Sequence, residues 1–164
     1  MTLNEIKETL EHYASQQPNV NSIVKSGNIY DISKDNYERK FSAFCVSEEP
    51  PHELDGDFIT YNLVLVYTDR LTQDRSNTTE VKSVAIETIT KVINKMKKLS
   101  MVDVTQATDI TTFTERFSEE CAGAYIGVRI QTTTESICEV VIKKLGEFAP
   151  KEFSDDFFKY IESL

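Results

Sequence analysis

The side chains that most often carry catalysis or bind metals are few in this sequence and lie far apart. The chain has two histidines, His12 and His52, and neither has a Ser or Cys nearby in a recognisable nucleophile motif. The three cysteines, Cys45, Cys121 and Cys138, are odd in number, widely separated and without CxxC spacing. This pattern favours buried free thiols over disulfides or a zinc site. We therefore expect solvated histidines, unreactive cysteines and no enzymatic activity.

The acidic segment EEPPHELDGD, residues 48–57, brings several potential metal ligands close together in the sequence. It lacks the length and fixed alternation of a calcium-binding loop, and its two prolines and one glycine are unsuited to a central strand. An exposed charged loop is favoured over a metal site. The sequence contains neither GxGxxG nor GxxxxGK[ST], so nucleotide binding has no support and no cofactor is expected. The five carboxylates of the segment are Glu48, Glu49, Glu53, Asp55 and Asp57.

Length and composition indicate one folded domain with an acidic surface. The chain has 164 residues, 40% of them hydrophobic, and its longest apolar run, 63–67, is far too short to cross a bilayer. The N-terminus shows no basic segment followed by an apolar one, so we expect synthesis in the cytosol and no membrane association. The net charge of -9 disfavours nucleic-acid binding, although it is compatible with a passage through which DNA slides without sticking.

The clearest folding signal lies between residues 57 and 97, where a β-forming segment, FITYNLVLVY at 58–67, precedes one long amphipathic helix. Apolar groups on both faces of this segment predict a central strand that is covered on both sides. One face carries Ile59, Tyr61, Leu63, Leu65 and Tyr67, and the other carries Phe58, Val64 and Val66. A helix layer accounts for one face, so the other needs a second sheet or a neighbouring subunit.

The helix after this strand begins at a predicted cap, Asn77, with Glu80 three positions later. Its apolar stripe, expected to lie on the sheet, consists of Val81, Val84, Ala85, Ile89, Val92, Ile93 and Met96. The last turns carry Lys91, Lys95, Lys97 and Lys98. We interpret these lysines as a solvated helix end, a reading favoured over a phosphate or partner contact, because cations are stabilised near a helix C-terminus.

The segments before the central strand predict one helix and two strands. Thr2 and Glu5 form a capping-box pattern that starts a helix of about three turns. The helix is expected to end before Pro18, which pushes its predecessor out of the helical region. Strands are predicted at 23–32 and 41–46, with a β-hairpin as the simplest connection between them.

The segments after the long helix predict two more strands, at 102–117 and 122–133, and a C-terminal extension, 133–164, that ends in a short helix. The expected fold class is α+β. It comprises a mixed or antiparallel sheet of about five strands packed against two helices, in the order α-β-β-β-α-β-β. Gly123 and Gly127 either weaken the last strand or permit close approach of another backbone.

This order of elements resembles that of the tail-terminator and tail-completion proteins of tailed bacteriophages, which have relatives among head-tail neck proteins. The phrase FTERFSEECAGAYIGVRIQT, residues 113–132, is similar to the last hairpin of such proteins in phages of gut Bacteroidota. The resemblance covers residues 1–132, which form the family-like domain. Residues 133–164 are then part of the same domain or an intersubunit arm.

The resemblance implies a structural virion protein, made in the host cytoplasm, that forms a ring at the head-tail neck or at the end of the tail tube. Its expected partners are further copies of itself and the neighbouring neck or tail proteins. DNA is expected to pass through the lumen without specific binding. The candidate subunit-interface residues are apolar side chains that the predicted core does not account for. They are Pro50, Pro51, Leu54, Phe58, Val64, Val66, Phe153, Phe157 and Phe158.

Two other classes of function remain open from the residues alone. A small ligand-binding α+β domain needs a concave pocket with convergent polar groups, and Tyr61, Tyr67 and Tyr125 are candidates to line one. An adaptor would bind one partner through the acidic segment and would itself be a stable monomer. Fold-level analogy excludes neither.

Overall fold

The computed structural model describes residues 1–25, 41–114 and 120–133, in which two helices lie against one face of a single mixed sheet. In chain order the elements are α1 (Leu3–Ser15), β1 (Ser22–Val24), β2 (Ala43–Glu48), β3 (Glu53–Asp55), β4 (Phe58–Arg70), α2 (Thr78–Met96), β5 (Asp103–Gln106), β6 (Thr111–Thr114) and β7 (Cys121–Thr133). The predicted α+β class is confirmed, but these residues form seven strands where about five were expected. The predicted C-terminal helix lies outside the described residues.

Strands β4 and β7 form the centre of the sheet and pair antiparallel from Phe58 opposite Thr133 to Arg70 opposite Cys121. The strand order is β1-β2-β4-β7-β5, with β3 also on β4 and β6 also on β7. Strand β4 therefore has a paired strand along each edge, which confirms the predicted central position in the sheet. The predicted hairpin between the first two strands is wrong, because β1 pairs with β2 in parallel, an arrangement that a tight turn cannot connect.

Two interruptions account for the extra strands. Strands β2 and β3 pair with the same edge of β4, and between them residues 49–52 face only Tyr61 and Asn62. Strands β5 and β6 likewise share the outer edge of β7, and residues 107–110 face only Ile126 and Gly127. Extra residues of this kind bend a strand and increase its twist.

The segment 48–57 therefore differs from the exposed loop that was predicted. It contains β3, whose three residues are all exposed, and a two-residue turn joins β3 to β4. The turn begins at Gly56, whose φ of 55° lies in the left-handed region that such hairpin turns require. The segment is exposed, as expected, but part of it is an edge strand.

Helix α1 begins with the predicted capping box. The Oγ1 of Thr2 accepts a hydrogen bond from the backbone N–H of Glu5 at 3.3 Å, and Glu5 Oε2 accepts from the backbone N–H of Thr2 at 2.7 Å. The helix ends before Pro18, as predicted. Its fully buried positions follow helical spacing and are Ile6, Leu10 and Ala14.

Helix α2 has the predicted apolar stripe but not the predicted cap. Asn77 stands at the N-cap position without a capping hydrogen bond from its side chain. Its Oδ1 instead accepts from the backbone N–H of Thr72 at 2.9 Å, and its Nδ2 donates to the carbonyl of Arg70 at 3.1 Å. The side chain therefore holds the connection between β4 and α2. The buried residues of the helix are Val81, Ala85, Thr88, Ile89, Val92, Ile93 and Met96.

The main core lies between the helices and one face of the sheet, called here the inner face. The predicted inward sets of β4 and β7 are confirmed, since the core contains Tyr61, Leu63, Leu65 and Tyr67 from β4 and Ala124, Ile126, Val128 and Ile130 from β7, and Ile59 packs against it. Each fully buried large aliphatic side chain contributes about 1.5–3 kcal/mol to stability. The opposite face, called here the outer face, has no helix on it in the described part of the chain.

Candidate functional site on the outer face and one end of the sheet

The outer face divides into two halves of different chemistry. Register places Val24, Cys45, Val66 and Tyr125 side by side across β1, β2, β4 and β7, which makes an apolar row. Nearer the beginning of β4, Asn62 lies opposite Arg129, and the rows there are polar. The strand interruptions separate the two halves, because they occur opposite Asn62 on one edge and Gly127 on the other.

The apolar half is covered by a side chain of the chain's own edge strand. Phe113 of β6 packs with Cys45 and Val66 in a second buried cluster, and its ring lies 6.3 Å from that of Tyr125. The ring can lie there because Gly123 beneath it has no side chain. A Cβ at that position would come 2.9 Å from Phe113 Cζ and would also collide with the carbonyl oxygen of Tyr67.

The glycines of β7 thus permit close approach of neighbouring groups, one of the two roles proposed for them. At Gly127 the neighbour is Thr108 from the interruption between β5 and β6, whose Oγ1 accepts the Gly127 N–H at 2.8 Å. A Cβ on Gly127 would lie 3.1 Å from that oxygen. Gly123 therefore leaves room for the Phe113 ring and the Tyr67 carbonyl, and Gly127 leaves room for the Thr108 side chain.

Burial within the chain corrects one of the candidate interface residues. Val66 is fully buried in the cluster with Cys45 and Phe113, so it needs no neighbouring subunit to cover it. Val64, the next residue on the same face, is only partly buried. Phe58, at the end of that face, is 46% exposed. Of the three apolar residues predicted to need cover on the second face of β4, only Phe58 and, in part, Val64 are therefore exposed.

The polar half carries an ion pair across the sheet. Arg129 of β7 donates from its guanidinium to Glu53 of β3, and both side chains are about half exposed. Asn62 belongs to β4, the strand between β3 and β7, and lies opposite Arg129. Its side-chain amide donates to the carbonyl of Pro51 at 2.5 Å. Pro50 and Pro51 are exposed beside this contact, joined to each other by a cis peptide bond. These contacts hold the 49–52 interruption against the sheet.

The end of the sheet at which β4 begins carries exposed apolar side chains from three segments of the chain. Leu54 is 72% exposed, Phe58 46% and Met101 60%, and they are three of the four large hydrophobic residues with strong exposure in the described ranges. Register places Leu54 opposite Ile59, and Ile59 opposite Thr132. The Oγ1 of Thr132 in turn donates to the carbonyl of Met101 at 3.2 Å. We call Leu54, Phe58 and Met101 the apolar end.

Sequence reasoning selected Leu54 and Phe58 but missed Met101. Its signal is weak, because a single methionine between a helix and a strand has no periodic partner. Only the fold brings it to the same end as the other two. The terminal aromatics Phe153, Phe157 and Phe158, also proposed for the interface, lie outside the described residues.

The lysines at the end of α2 have two kinds of surroundings. Lys91 pairs with Glu87 at 2.5 Å, and Lys95 donates to Oε1 of Gln16 at 2.7 Å. These two contacts fit the structural interpretation of the lysine group. Lys97 and Lys98 are exposed at the start of the turn that leads to Met101.

The three tyrosines that were candidates for a ligand pocket do not converge. Tyr61 and Tyr67 are buried in the main core on the inner face, whereas Tyr125 lies on the outer face. The hydroxyl of Tyr67 donates to the carbonyl of Asn19 at 2.9 Å, and burial raises its pKa. Burial also raises the pKa of the Tyr61 phenol. Both groups are therefore structural.

The histidines are held differently from each other. His12 is exposed and contacts the amide of Gln16 at 2.8 Å, which fits the expected solvated residue. His52 is partly buried, and its Nδ1 accepts the backbone N–H of Asn62 at 3.3 Å. Its ring also packs edge-on against Tyr61 at 5.3 Å. The expectation of a solvated His52 is therefore wrong, because the 49–52 interruption folds this side chain against β4.

Asp69, at the other end of β4, has a carboxyl pKa raised by burial. Its Oδ1 accepts the backbone N–H of Arg70 at 2.7 Å, which partly offsets the effect of burial. Cys45 and Cys121 are buried, as predicted, and Cys138 lies outside the described residues. Among the described residues, no group of three or more His, Cys, Asp or Glu side chains is arranged to hold a metal ion.

Neither helix in the described part of the chain combines the length and apolar composition that a membrane-crossing helix needs. No protein-family model matches the chain, and no curated protein sequence matches it significantly.

Proposed function

We propose that this protein is a structural component of a tailed-phage virion and forms an oligomeric ring at the head-tail neck or at the end of the tail tube. The observation that carries the proposal is the apolar end. Leu54, Phe58 and Met101 leave large apolar groups in water at one end of the sheet, and contact with another subunit would remove their apolar surface from water.

The arrangement of the helices supports the same proposal. Both pack on the inner face, so the described residues leave the polar half of the outer face and both outer edges of the sheet open to further contacts. Exposed strand edges and apolar side chains together provide the two kinds of interaction that extended protein interfaces use. The interface residues retained in the proposal are Pro50, Pro51, Leu54, Phe58 and Val64, to which Met101 is added.

The charge of the chain suits a DNA passage. The net charge of -9 gives the chain as a whole the same sign as the phosphate backbone. Like charge disfavours persistent contacts between DNA and the wall of a lumen. In this proposal the ring guides the genome without specific binding, and its neighbours are the adjacent neck or tail proteins.

The proposal is tested by size-exclusion chromatography with light scattering, followed by negative-stain electron microscopy of the purified full chain. We expect one assembled species and annular particles. A monomer at every concentration, alone and with neck or tail proteins, would contradict the ring. A monomer that binds a single partner one-to-one would instead support the adaptor class, and a thermal shift with a metabolite would support the ligand-binding class.

A further inference from the structure

The apolar end consists of two corners that lie on opposite edges of the sheet. Here the lateral order of strands is β3-β4-β7-β5. Leu54 belongs to β3 at one edge, and Met101 lies just before β5 at the other. Ile59 of β4 and Thr132 of β7 lie between them in register, and Thr132 is the residue whose Oγ1 donates to the Met101 carbonyl. The two corners are therefore separate patches on the two sides of the central strands.

The two corners carry opposite charge. Leu54 is flanked by the acidic segment, in which Glu49 and Asp55 are exposed. Met101 lies between two exposed lysines, Lys97 and Lys98, and one exposed aspartate, Asp103, so basic side chains outnumber acidic ones near it in the sequence. Each corner thus combines an exposed apolar side chain with a local charge that the other corner would neutralise.

We propose that these corners are the two halves of one contact between copies of this chain: the Leu54 corner of one subunit packs on the Met101 corner of the next. The inference rests on the proposed ring and specifies which surfaces build it. Because two different patches of the same chain meet, the contact is head-to-tail. A head-to-tail contact closes into a ring when its rotation divides a full turn and otherwise gives an open helical filament, whereas a contact between identical patches ends at a dimer.

This assignment gives the exposed lysines a role beyond a solvated helix end. Lys91 and Lys95 already have partners within the chain, at Glu87 and Gln16. Lys97 and Lys98 are positioned for the acidic side chains of a neighbouring copy. Charge complementarity of this kind sets the register of a contact and its rate of formation, while the apolar side chains supply the buried area.

The test reverses the charge of each corner separately and then of both together. The acidic-corner variant is Glu49→Lys with Asp55→Lys, and the basic-corner variant is Lys97→Glu with Lys98→Glu. The combined variant carries all four of these substitutions. The matched control for the acidic-corner variant is Glu8→Lys with Glu80→Lys, which makes the same change of net charge at exposed positions on the two helices; the combined variant leaves the net charge unchanged.

We expect each corner variant to raise the concentration needed for half-maximal assembly by about tenfold or more, because like charges then face each other across the contact. The combined variant is expected to assemble again, since each reversed corner meets a reversed partner. The control is expected to assemble like the wild type. Circular dichroism melts of the wild type and the four variants show whether any loss of assembly is instead a loss of folding.

The result that overturns the inference is a wild-type ring that persists in both corner variants, or a combined variant that stays dissociated although it is folded. Either result leaves the ring itself standing, whereas a monomeric wild type contradicts the proposed function as well. Maleimide labelling of Leu54→Cys, measured against the unsubstituted chain, adds a second readout. We expect protection in the assembled protein and reaction in the dissociated variants; protection in a folded monomer would place another segment of the same chain on this corner.

Discussion

The apolar half of the outer face and the apolar end of the sheet both carry aromatic and aliphatic side chains, but the described chain covers only the first. Phe113 closes over Val66 and Cys45 because Gly123 leaves room for its ring. At the apolar end no comparable side chain from the described residues covers Phe58, which is nearly half exposed. The difference separates an apolar surface used for folding from one available for assembly.

The largest expected effect distinguishes the two phenylalanines. Phe113→Ala removes the cover of the apolar half and should lower the free energy of unfolding by about 3 kcal/mol, as large-to-small changes of buried aromatics do. Phe58→Ala is the matched control, with an expected cost below about 1 kcal/mol because the side chain is already half in water. Urea unfolding of both variants measures the contrast, and equal losses would show that the two regions do not differ.

The next effect concerns the space beneath Phe113. Gly123→Ala places a methyl group against the Phe113 ring and the Tyr67 carbonyl, so we expect a loss of about 1–3 kcal/mol from overpacking. Gly127→Ala meets the side chain of Thr108 at 3.1 Å, and a side chain moves more easily than a backbone carbonyl. Thermal melts should therefore rank Gly123→Ala as the more damaging substitution; the reverse order would contradict the packing described for the apolar half.

A smaller effect compares the two ends of β4, and it depends on pH. Burial raises the pKa of Asp69 in the folded protein above its unfolded value of 3.8. The ionised carboxylate therefore destabilises the fold: this cost is absent well below the unfolded pKa, grows as the pH rises through the folded pKa, and is complete above it. Asp69→Asn should raise the melting temperature at neutral pH and lose this advantage in acid.

Asp55→Asn at the apolar end is the control for that measurement, because the Asp55 side chain is exposed. We expect it to leave the melting temperature nearly unchanged at both pH values. A neutral-pH gain for Asp55→Asn as large as that for Asp69→Asn would indicate a general effect of net charge and not the burial of one carboxyl group.

The sequence was sufficient for elements whose burial is periodic. The alternation of β4 and β7 and the stripe of α2 predicted their inner faces, because each pattern repeats over many residues. Strand β3 was missed because its three residues are all exposed and it is defined by pairing with β4. The pairing of β1 with β2 was predicted, but its parallel direction was missed, because an alternating apolar pattern looks the same for either direction of pairing.

The candidate site was predictable only in part. Leu54 and Phe58 stand out in the sequence as apolar residues beside turn-forming ones. The burial of Val66 was not visible, because it depends on Phe113 reaching across β7 above a glycine. Met101 lies at this end of the sheet because of the fold, where its carbonyl accepts a hydrogen bond from Thr132. Contacts between distant segments decide these positions, and local patterns do not encode them.

Sedimentation velocity of the wild type and of Phe58→Lys, over a wide range of concentration, shows whether the apolar end builds a ring. We expect the wild type to sediment as one ring-sized species and Phe58→Lys to sediment as the 18.7 kDa monomer, with no larger loss of stability than Phe58→Ala. A charge at a desolvated contact opposes association, whereas in the free subunit position 58 is half exposed and lies opposite Asp55, which a lysine can pair with. A wild type that remains monomeric throughout, or a Phe58→Lys protein that assembles like the wild type, would contradict the claim that the apolar end builds the ring.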